Sequence, residues 1–247
     1  MADKVNVLGV MVDKVNVEQA SDMIVDFVKM AGHPRTVFTP NSEIIMAAYR
    51  DKGFCDILNS SDIVTADGIG VVYASKIVKN PINERAAGYD IACRTLEKLG
   101  SIGGTLYLFG SRPGVAETAA ANIEEKYKGI RVVGTSDGYF DTEKEKEIIA
   151  KINSAKPDLL FVCLGAPKQE KWIHAHKGEL SAKVCLGIGG SVDVFAGNVK
   201  RAPEFFTRHG IEWLYRLAKQ PSRFMRMLDL PRFGFKVLLH GRKFPQE

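Results

Sequence analysis

The sequence predicts an α/β layer fold, a Rossmann-like, largely parallel sheet flanked by helices, followed by a basic amphipathic helical appendage. Three observations carry that expectation. Short β-rich runs alternate with helical patterns up to about residue 190, the runs are apolar enough to be covered on both faces, and the composition changes near Ala196. At 247 residues, 45% apolar and 26% charged, the chain can bury a full core. The expected division is an α/β domain over residues 1–195 and an appendage over 196–247.

In chain order, strands are predicted at Val5–Val10, Arg35–Thr39, Asp62–Thr65, Thr105–Phe109, Arg131–Thr135, Leu159–Leu164 and Val184–Ile188. Helical patterns fill the gaps: Glu18–Ala31, Ser42–Leu58, a short Val71–Lys76, Gly88–Leu99, Val115–Lys126, Thr142–Ala155 and Lys168–His176. In such folds the functional loops gather at the carboxyl ends of the strands. Beyond Ala196, Pro203, Pro221 and Pro231 are expected to divide the tail into short helical pieces.

No apolar run approaches the roughly 20 residues that span a bilayer; Leu159–Ala166, the longest, is strand-sized. The opening Met-Ala-Asp-Lys-Val-Asn lacks the basic start and apolar stretch of a secretory signal, so cytoplasmic residence is expected. Cys55, Cys93, Cys163 and Cys185 show no C-x-x-C spacing and read as reduced, buried thiols rather than metal ligands.

The tail is the basic part. Residues 196–247 hold 11 Lys/Arg against 4 Asp/Glu and 8 of the 22 aromatic residues, while the whole chain is only +5. Ile211, Leu214, Leu217 and Ala218 fall at helical spacing, with Arg208, Glu212, Arg216 and Lys219 on another stripe. Rings interleaved with arginines suit an anionic membrane surface. The apolar stripe could equally dock on the α/β body or on another subunit, so a homo-oligomer stays open. Nucleic acid is disfavoured, because Phe, Leu and Met alternate with the tail's arginines at amphipathic spacing.

Several loops at strand ends could carry chemistry. Thr39-Pro40-Asn41-Ser42-Glu43 runs straight into a helix, so Asn41 or Ser42 serves as N-cap, yet Thr39 and Asn41 could also hydrogen-bond a sugar or phosphate. In Thr65-Ala66-Asp67-Gly68-Ile69-Gly70, Asp67 is either a helix cap or a carboxylate at a cleft floor, with glycines allowing positive φ and close ligand approach. Gly110-Ser111-Arg112-Pro113-Gly114 and Gly189-Gly190-Ser191-Val192-Asp193 are phosphate-friendly turns without the spacing of a dinucleotide or P-loop fingerprint. Gly165-Ala166-Pro167-Lys168-Gln169-Glu170 reads as a βα corner with Pro167 at the first helical position, or as a site where Lys168 and Gln169 meet a sugar nucleotide.

Taken together these strings resemble the WecG/TagA/CpsF glycosyltransferase family over nearly the whole chain. The likeness rests on Thr-Pro-Asn at 39–41, Asp-Gly-x-Gly at 67–70, Arg85 with Gly88 and Asp90, and Gly-Tyr-Phe at 138–140. Gly-Ala-Pro-Lys-Gln-Glu at 165–170, Gly-Gly-Ser-x-Asp at 189–193, Lys-Arg-Ala-Pro at 200–203 and Glu-Trp-Leu-Tyr-Arg at 212–216 complete it. The resemblance implies transfer of N-acetylmannosamine from a UDP-sugar donor to undecaprenyl-diphosphate-linked N-acetylglucosamine, a β-1,4 linkage in the wall teichoic acid linkage unit. It also implies a peripheral position on the inner face of the plasma membrane and an appendage that contributes to the active site. Another donor, such as the uronic acid or glucose, and a non-enzymatic nucleotide-binding module are the alternatives.

Such a transferase must deprotonate an acceptor hydroxyl and stabilise charge on the departing diphosphate. The chain contains no Asp-x-Asp to hold a metal, so no metal or other cofactor is expected and guanidiniums are the candidates for that charge. The expected catalytic set is Asp67 as general base with Arg85, Arg216, Arg223 and Arg226. Thr39, Asn41, Gly110, Ser111, Gly165, Lys168, Gln169, Gly189, Gly190 and Asp193 are the expected substrate-binding residues.

Overall fold

The computed structural model describes residues 3–30, 32–203, 205–206, 211–219 and 224–246, except for the side chains of residues 216, 219 and 226. Six parallel strands form the central sheet: β3 (Arg35–Phe38), β4 (Ile63–Val64), β5 (Thr105–Gly110), β6 (Arg131–Ser136), β7 (Leu159–Cys163) and β8 (Val184–Gly187). Their spatial order is β4-β3-β8-β7-β5-β6, with Val37 opposite Leu186 and Phe109 opposite Val162. From β3 the chain steps outward to β4, and from β5 outward to β6 before returning to β7 and β8. The ends of β3, β8 and β7 therefore open onto the middle of the carboxyl edge, where open α/β sheets bind ligands.

Period-two alternation along each strand feeds two cores. Phe38, Val64, Tyr107, Phe109, Leu160, Val162 and Cys185 point to one face. Val37, Ile63, Leu106, Leu108, Leu159, Phe161, Val184 and Leu186 point to the other. Helices α1 (Val17–Lys29), α5 (Gly88–Gly100), α6 (Val115–Lys126) and the short α9 (Ser191–Phe195) cover the second face. Residues of α2 (Ser42–Arg50), α3 (Lys52–Asn59), α4 (Ile69–Ile77), α7 (Thr142–Ala155) and α8 (Lys168–His176) pack in the first. Each side chain that such a sheet buries completely is worth about 1.5–3 kcal/mol.

Two expectations need correction. The strand expected at Val5–Val10 is an antiparallel hairpin, β1 (Lys4–Val7) and β2 (Val10–Asp13), separate from the main sheet. Leu8 and Gly9 both take positive φ, the requirement of a type I′ turn, and burial of the Leu8 side chain offsets its backbone strain. The single helix expected over Ser42–Leu58 breaks at Asp51, whose carboxylate accepts from Phe54 N at 3.1 Å and so caps α3 instead of continuing α2. Pro231 does mark a boundary in the tail: one helix ends at Met227 and the next starts at Asp229, with Pro231 in its first turn, where its missing N–H would have no intrahelical partner. Pro221 lies outside the described residues.

In the tail, helices α10 (Glu212–Lys219), α11 (Phe224–Met227) and α12 (Asp229–His240) follow one another. Helix α12 docks through Phe233 and Val237, both buried in the core that α2 and α4 share. Arg50 pairs with Asp229, and Gln246 exchanges two hydrogen bonds with the Asn6 backbone, at 3.1 and 3.0 Å. The composition changes at residue 196, but the packing runs on. No helix of the described residues is long and apolar enough to cross a membrane.

Candidate active site

An open cleft of about 1430 Å³ runs along the carboxyl edge of the sheet, and the segments that follow all six strands contribute to its walls. The segment after β3 supplies Thr39 and Asn41. Thr39 is buried, its hydroxyl 3.5 Å from the Gly187 carbonyl at the end of β8. Asn41 caps α2 by accepting from Ile44 N at 3.0 Å, so its oxygen is committed while it lines the cleft.

The segment after β4 presents Asp67, half-buried, with its backbone N–H donating to the Pro40 carbonyl at 3.2 Å. The N-cap position of helix α4 is Gly68, the residue after Asp67, and it brings no side-chain hydrogen bond of its own. The glycines here serve close approach rather than positive φ. Gly68 is extended at φ −124, and a Cβ on Gly70 would stand 2.4 Å from the Ser42 hydroxyl. The loop carrying Arg85 is tied beside this segment: Thr65 donates to the Ala86 carbonyl and Ala86 N–H to the Ala66 carbonyl, both at 2.9 Å.

Arg85 itself does not line the cleft. Its guanidinium lies 3.1 Å from Glu212 and 3.7 Å from Asp90, both of which do, and Arg201 also pairs with Asp90 while stacking over Tyr89. Glu212 begins α10, so this cluster joins the tail to the body. No pattern in the sequence announced the Arg85–Glu212 pair, which joins residues 127 positions apart.

On the far side, Ser111, Gly138, Tyr139 and Phe140 form the wall after β5 and β6. Gly110, one of the expected binding residues, is not in that wall. It ends β5 at φ +128, and a Cβ there would meet the Cys163 backbone at 2.5 Å, which makes it a packing requirement of the β5–β7 pair. Ser111 is left-handed at φ +63, and its N–H already donates to the Cys163 carbonyl at 3.1 Å. Arg112 reaches across to Asp193 at 3.9 Å.

The Gly165–Gln169 corner closes the floor. Gly165 takes φ +77, as its tight turn required. Pro167 occupies the N-cap rather than the first helical position of α8. Lys168 sits 4.3 Å over the Phe140 ring, a cation–π contact at the cleft wall. Gln169 is buried, its Oε1 accepting from Gly189 N at 3.0 Å and its Nε2 donating to Glu170 at 2.8 Å. Gly189, Gly190, Ser191 and Asp193 complete the wall after β8.

The cleft thus brings together Thr39, Asn41, Asp67, Ser111, Gly165, Lys168, Gln169, Gly189, Gly190 and Asp193. Arg85 stands one ion pair behind it and Gly110 lies in the sheet. Arg223 is outside the described residues, as are the side chains of Arg216 and Arg226. Among the described lining residues, six carboxylates (Glu43, Asp67, Asp90, Asp193, Glu212 and Asp229) face four cations (Arg112, Lys168, Lys200 and Arg201). The four cysteines are unpaired; Cys163 and Cys185 are buried and Cys55 and Cys93 half-buried. Burial pushes the Cys185 thiol up to about 12, far from a reactive thiolate.

A parallel sheet with this cleft at its carboxyl edge defines an α/β protein with its ligand site at the strand ends. The profile of the glycosyl transferase WecG/TagA/CpsF family matches residues 5–247, and the chain belongs to that family. Two relatives named N-acetylglucosaminyldiphosphoundecaprenol N-acetyl-beta-D-mannosaminyltransferase are similar at 39% and 40% identity. The first, from Bacillus spizizenii, aligns over 206 residues, 83% of this chain and 79% of its own. The second, from Bacillus subtilis, aligns over 203 residues, 82% and 78%. A Staphylococcus aureus protein of the same name is 34% identical over 241 residues, 97% of this chain and 94% of its own.

Proposed function

We propose that the protein transfers N-acetylmannosamine from UDP-N-acetylmannosamine to undecaprenyl-diphosphate-linked N-acetylglucosamine, with inversion at the anomeric carbon. The observation that carries this reading is Asp67, half-buried, lining one cleft with Thr39, Asn41, Lys168 and Gln169. The relatives' names supply the acceptor and the sugar.

In the proposed reaction the acceptor hydroxyl oxygen attacks the anomeric carbon while its proton passes to the Asp67 carboxylate. The bond from that carbon to the phosphate oxygen breaks, and its electron pair leaves with UDP. Of the four described cations of the wall, Arg112 faces Asp193, Arg201 pairs with Asp90 and Lys168 is held over Phe140, which leaves Lys200 against six carboxylates. We assign the main neutralisation of the leaving diphosphate to Arg216, Arg223 and Arg226, with Lys200 as a further cation of the same wall. Arg216 follows Tyr215, a cleft residue, directly in α10. Guanidinium forks bind phosphate bidentately and stay charged.

The acceptor's polyprenyl chain keeps it in a bilayer, so the enzyme works at that surface. Exposed Trp213, Leu214, Phe224, Met225, Phe235, Leu238 and Leu239 in the basic tail support membrane contact. Incubation with a panel of UDP-sugars and a short-chain lipid-diphosphate N-acetylglucosamine, with EDTA present, followed by mass analysis, tests donor, acceptor and metal need together. The expected product gains one N-acetylhexosamine from the N-acetylmannosamine donor alone. Transfer only of a uronic acid or glucose, or none until a divalent ion is restored, overturns the corresponding part.

A further inference from the structure

Glu170 is a buried acid that the proposed reaction does not use. Its residue is 1% exposed; one carboxyl oxygen accepts from Gln169 Nε2 at 2.8 Å, and the other has no hydrogen-bond partner. Burial raises the pKa of this carboxyl, against the lowering effect of its bonds from Gln169 and from its own backbone N–H. For stability alone the position is wasteful, because an apolar side chain of similar volume would fill the space without an orphaned oxygen.

What Glu170 does accomplish is to orient an amide. The two ends of a glutamine side chain are nearly the same shape and differ in whether they donate or accept. Gly189 N–H demands the oxygen and the Glu170 carboxyl oxygen demands the nitrogen, so the pair permits one orientation of Gln169. Gln169 in turn crosses the end of β8 at close range, its Nε2 2.9 Å from where a Cβ on Gly187 would sit. The residue it grips, Gly189, is left-handed at φ +50 and leads directly into Gly190, Ser191 and Asp193 of the cleft wall.

We propose that Glu170 is a positioning residue for donor binding: acting through the Gln169 amide, its carboxyl fixes the Gly189 N–H and with it the Gly189–Gly190 wall of the cleft. The inference rests on the reading that this wall meets the donor nucleotide.

The test compares E170M, E170Q and G190A in the full chain, by UDP titration calorimetry, donor KM and kcat, and amide hydrogen exchange at Gly189. E170M removes the acceptor while keeping the volume; it should weaken UDP binding and raise donor KM by about tenfold, the scale of one neutral hydrogen bond, with kcat little changed. Exchange at Gly189 should accelerate, and E170Q, which keeps an acceptor oxygen, should restore all three values. In G190A the new methyl meets no protein atom within 4 Å and φ is −71, so it intrudes only on what occupies the cleft. Weaker UDP binding in G190A with unaltered binding and Gly189 exchange in E170M overturns the inference alone. No effect of G190A on UDP removes the wall from the donor, and both readings fall. Should E170M not fold, Q169E sets two acids face to face and Q169E/E170Q restores one donor between them. Gly189 protection lost in the first and regained in the second is expected, and failure to regain it refutes the relay.

Discussion

Asp67→Asn separates chemistry from architecture at the proposed base. Asparagine keeps the shape of the side chain and the backbone N–H that donates to Pro40. The N-cap residue of helix α4, Gly68, is left unchanged. The cost to the fold should stay within about 1 kcal/mol, the scale of one neutral hydrogen bond. For a chain of this size that shifts Tm by about 2–4 °C. The chemical cost is much larger: losing a general base removes about 10²–10⁴-fold in rate, or about 2.7–5.4 kcal/mol of barrier. The assay is initial-rate UDP release with the short-chain acceptor, run beside a thermal melt and a UDP titration. UDP carries no acceptor hydroxyl, so its affinity should hold while kcat falls. A loss of less than tenfold with an undisturbed melt would remove Asp67 from the role of base and refute the reasoning.

Gly110→Ala should leave the cleft chemistry intact but cost about 1–2 kcal/mol for its left-handed backbone and about 1–3 for the clash with Cys163, lowering Tm by about 4–20 °C; a melt within 2 °C of the parent contradicts the packing argument. Because burial raises the Glu170 pKa, the folded state holds a proton that the unfolded chain releases near 4.5, so that stability falls as pH rises from there through the folded value. The stability gained by Glu170→Gln should accordingly be largest at neutral pH and vanish below about 4.5 in paired urea titrations; a gain independent of pH counts against it. Neutralising Lys236, Arg242 and Lys243 together should weaken cosedimentation with anionic vesicles by about 10²-fold, at roughly 1 kcal/mol per charge, and leave binding to neutral vesicles unchanged. Equal losses on both vesicle types would point to damaged packing rather than lost charge.

Much of the fold was legible because its signals are local. The parallel strands announce themselves as short apolar runs, and helices such as Val115–Lys126 and Thr142–Ala155 match their predicted bounds. What escaped depended on a single residue's backbone. The positive φ of Leu8 turns one strand into a hairpin, and the Asp51 carboxylate, by preferring Phe54 N–H, splits one helix into two. The strand-end loops were equally readable, since a parallel sheet sends every such loop to one edge whatever the sequence separation. Contacts within that edge were not. The pairing of Arg85 with Glu212 and of Gln169 with Gly189 depends on three-dimensional approach, and the clash that makes Gly110 structural appears only when β5 and β7 lie side by side.

On the proposed reading, the charge pattern of the cleft gives the arginines of the tail a purpose. A diphosphate leaving group brings negative charge to a wall whose described carboxylates already outnumber its cations. A cation beside Asp67, Asp90 or Asp193 can pair with a carboxylate, as Arg112 does with Asp193 and Arg201 with Asp90, and is then less available to a diphosphate. Charge delivered from a separate helix avoids that quenching, provided the helix is anchored. The Glu212 carboxylate, 15% exposed and 3.1 Å from Arg85, gives α10 such an anchor at its first residue. Docked Phe233 and Val237 hold the far end of the tail against the core. In the chain, Arg216, Arg223 and Arg226 fall between Glu212 and Phe233; on the proposed reading they serve the diphosphate while exposed apolar residues such as Phe224 and Met225 meet the lipid that carries the acceptor.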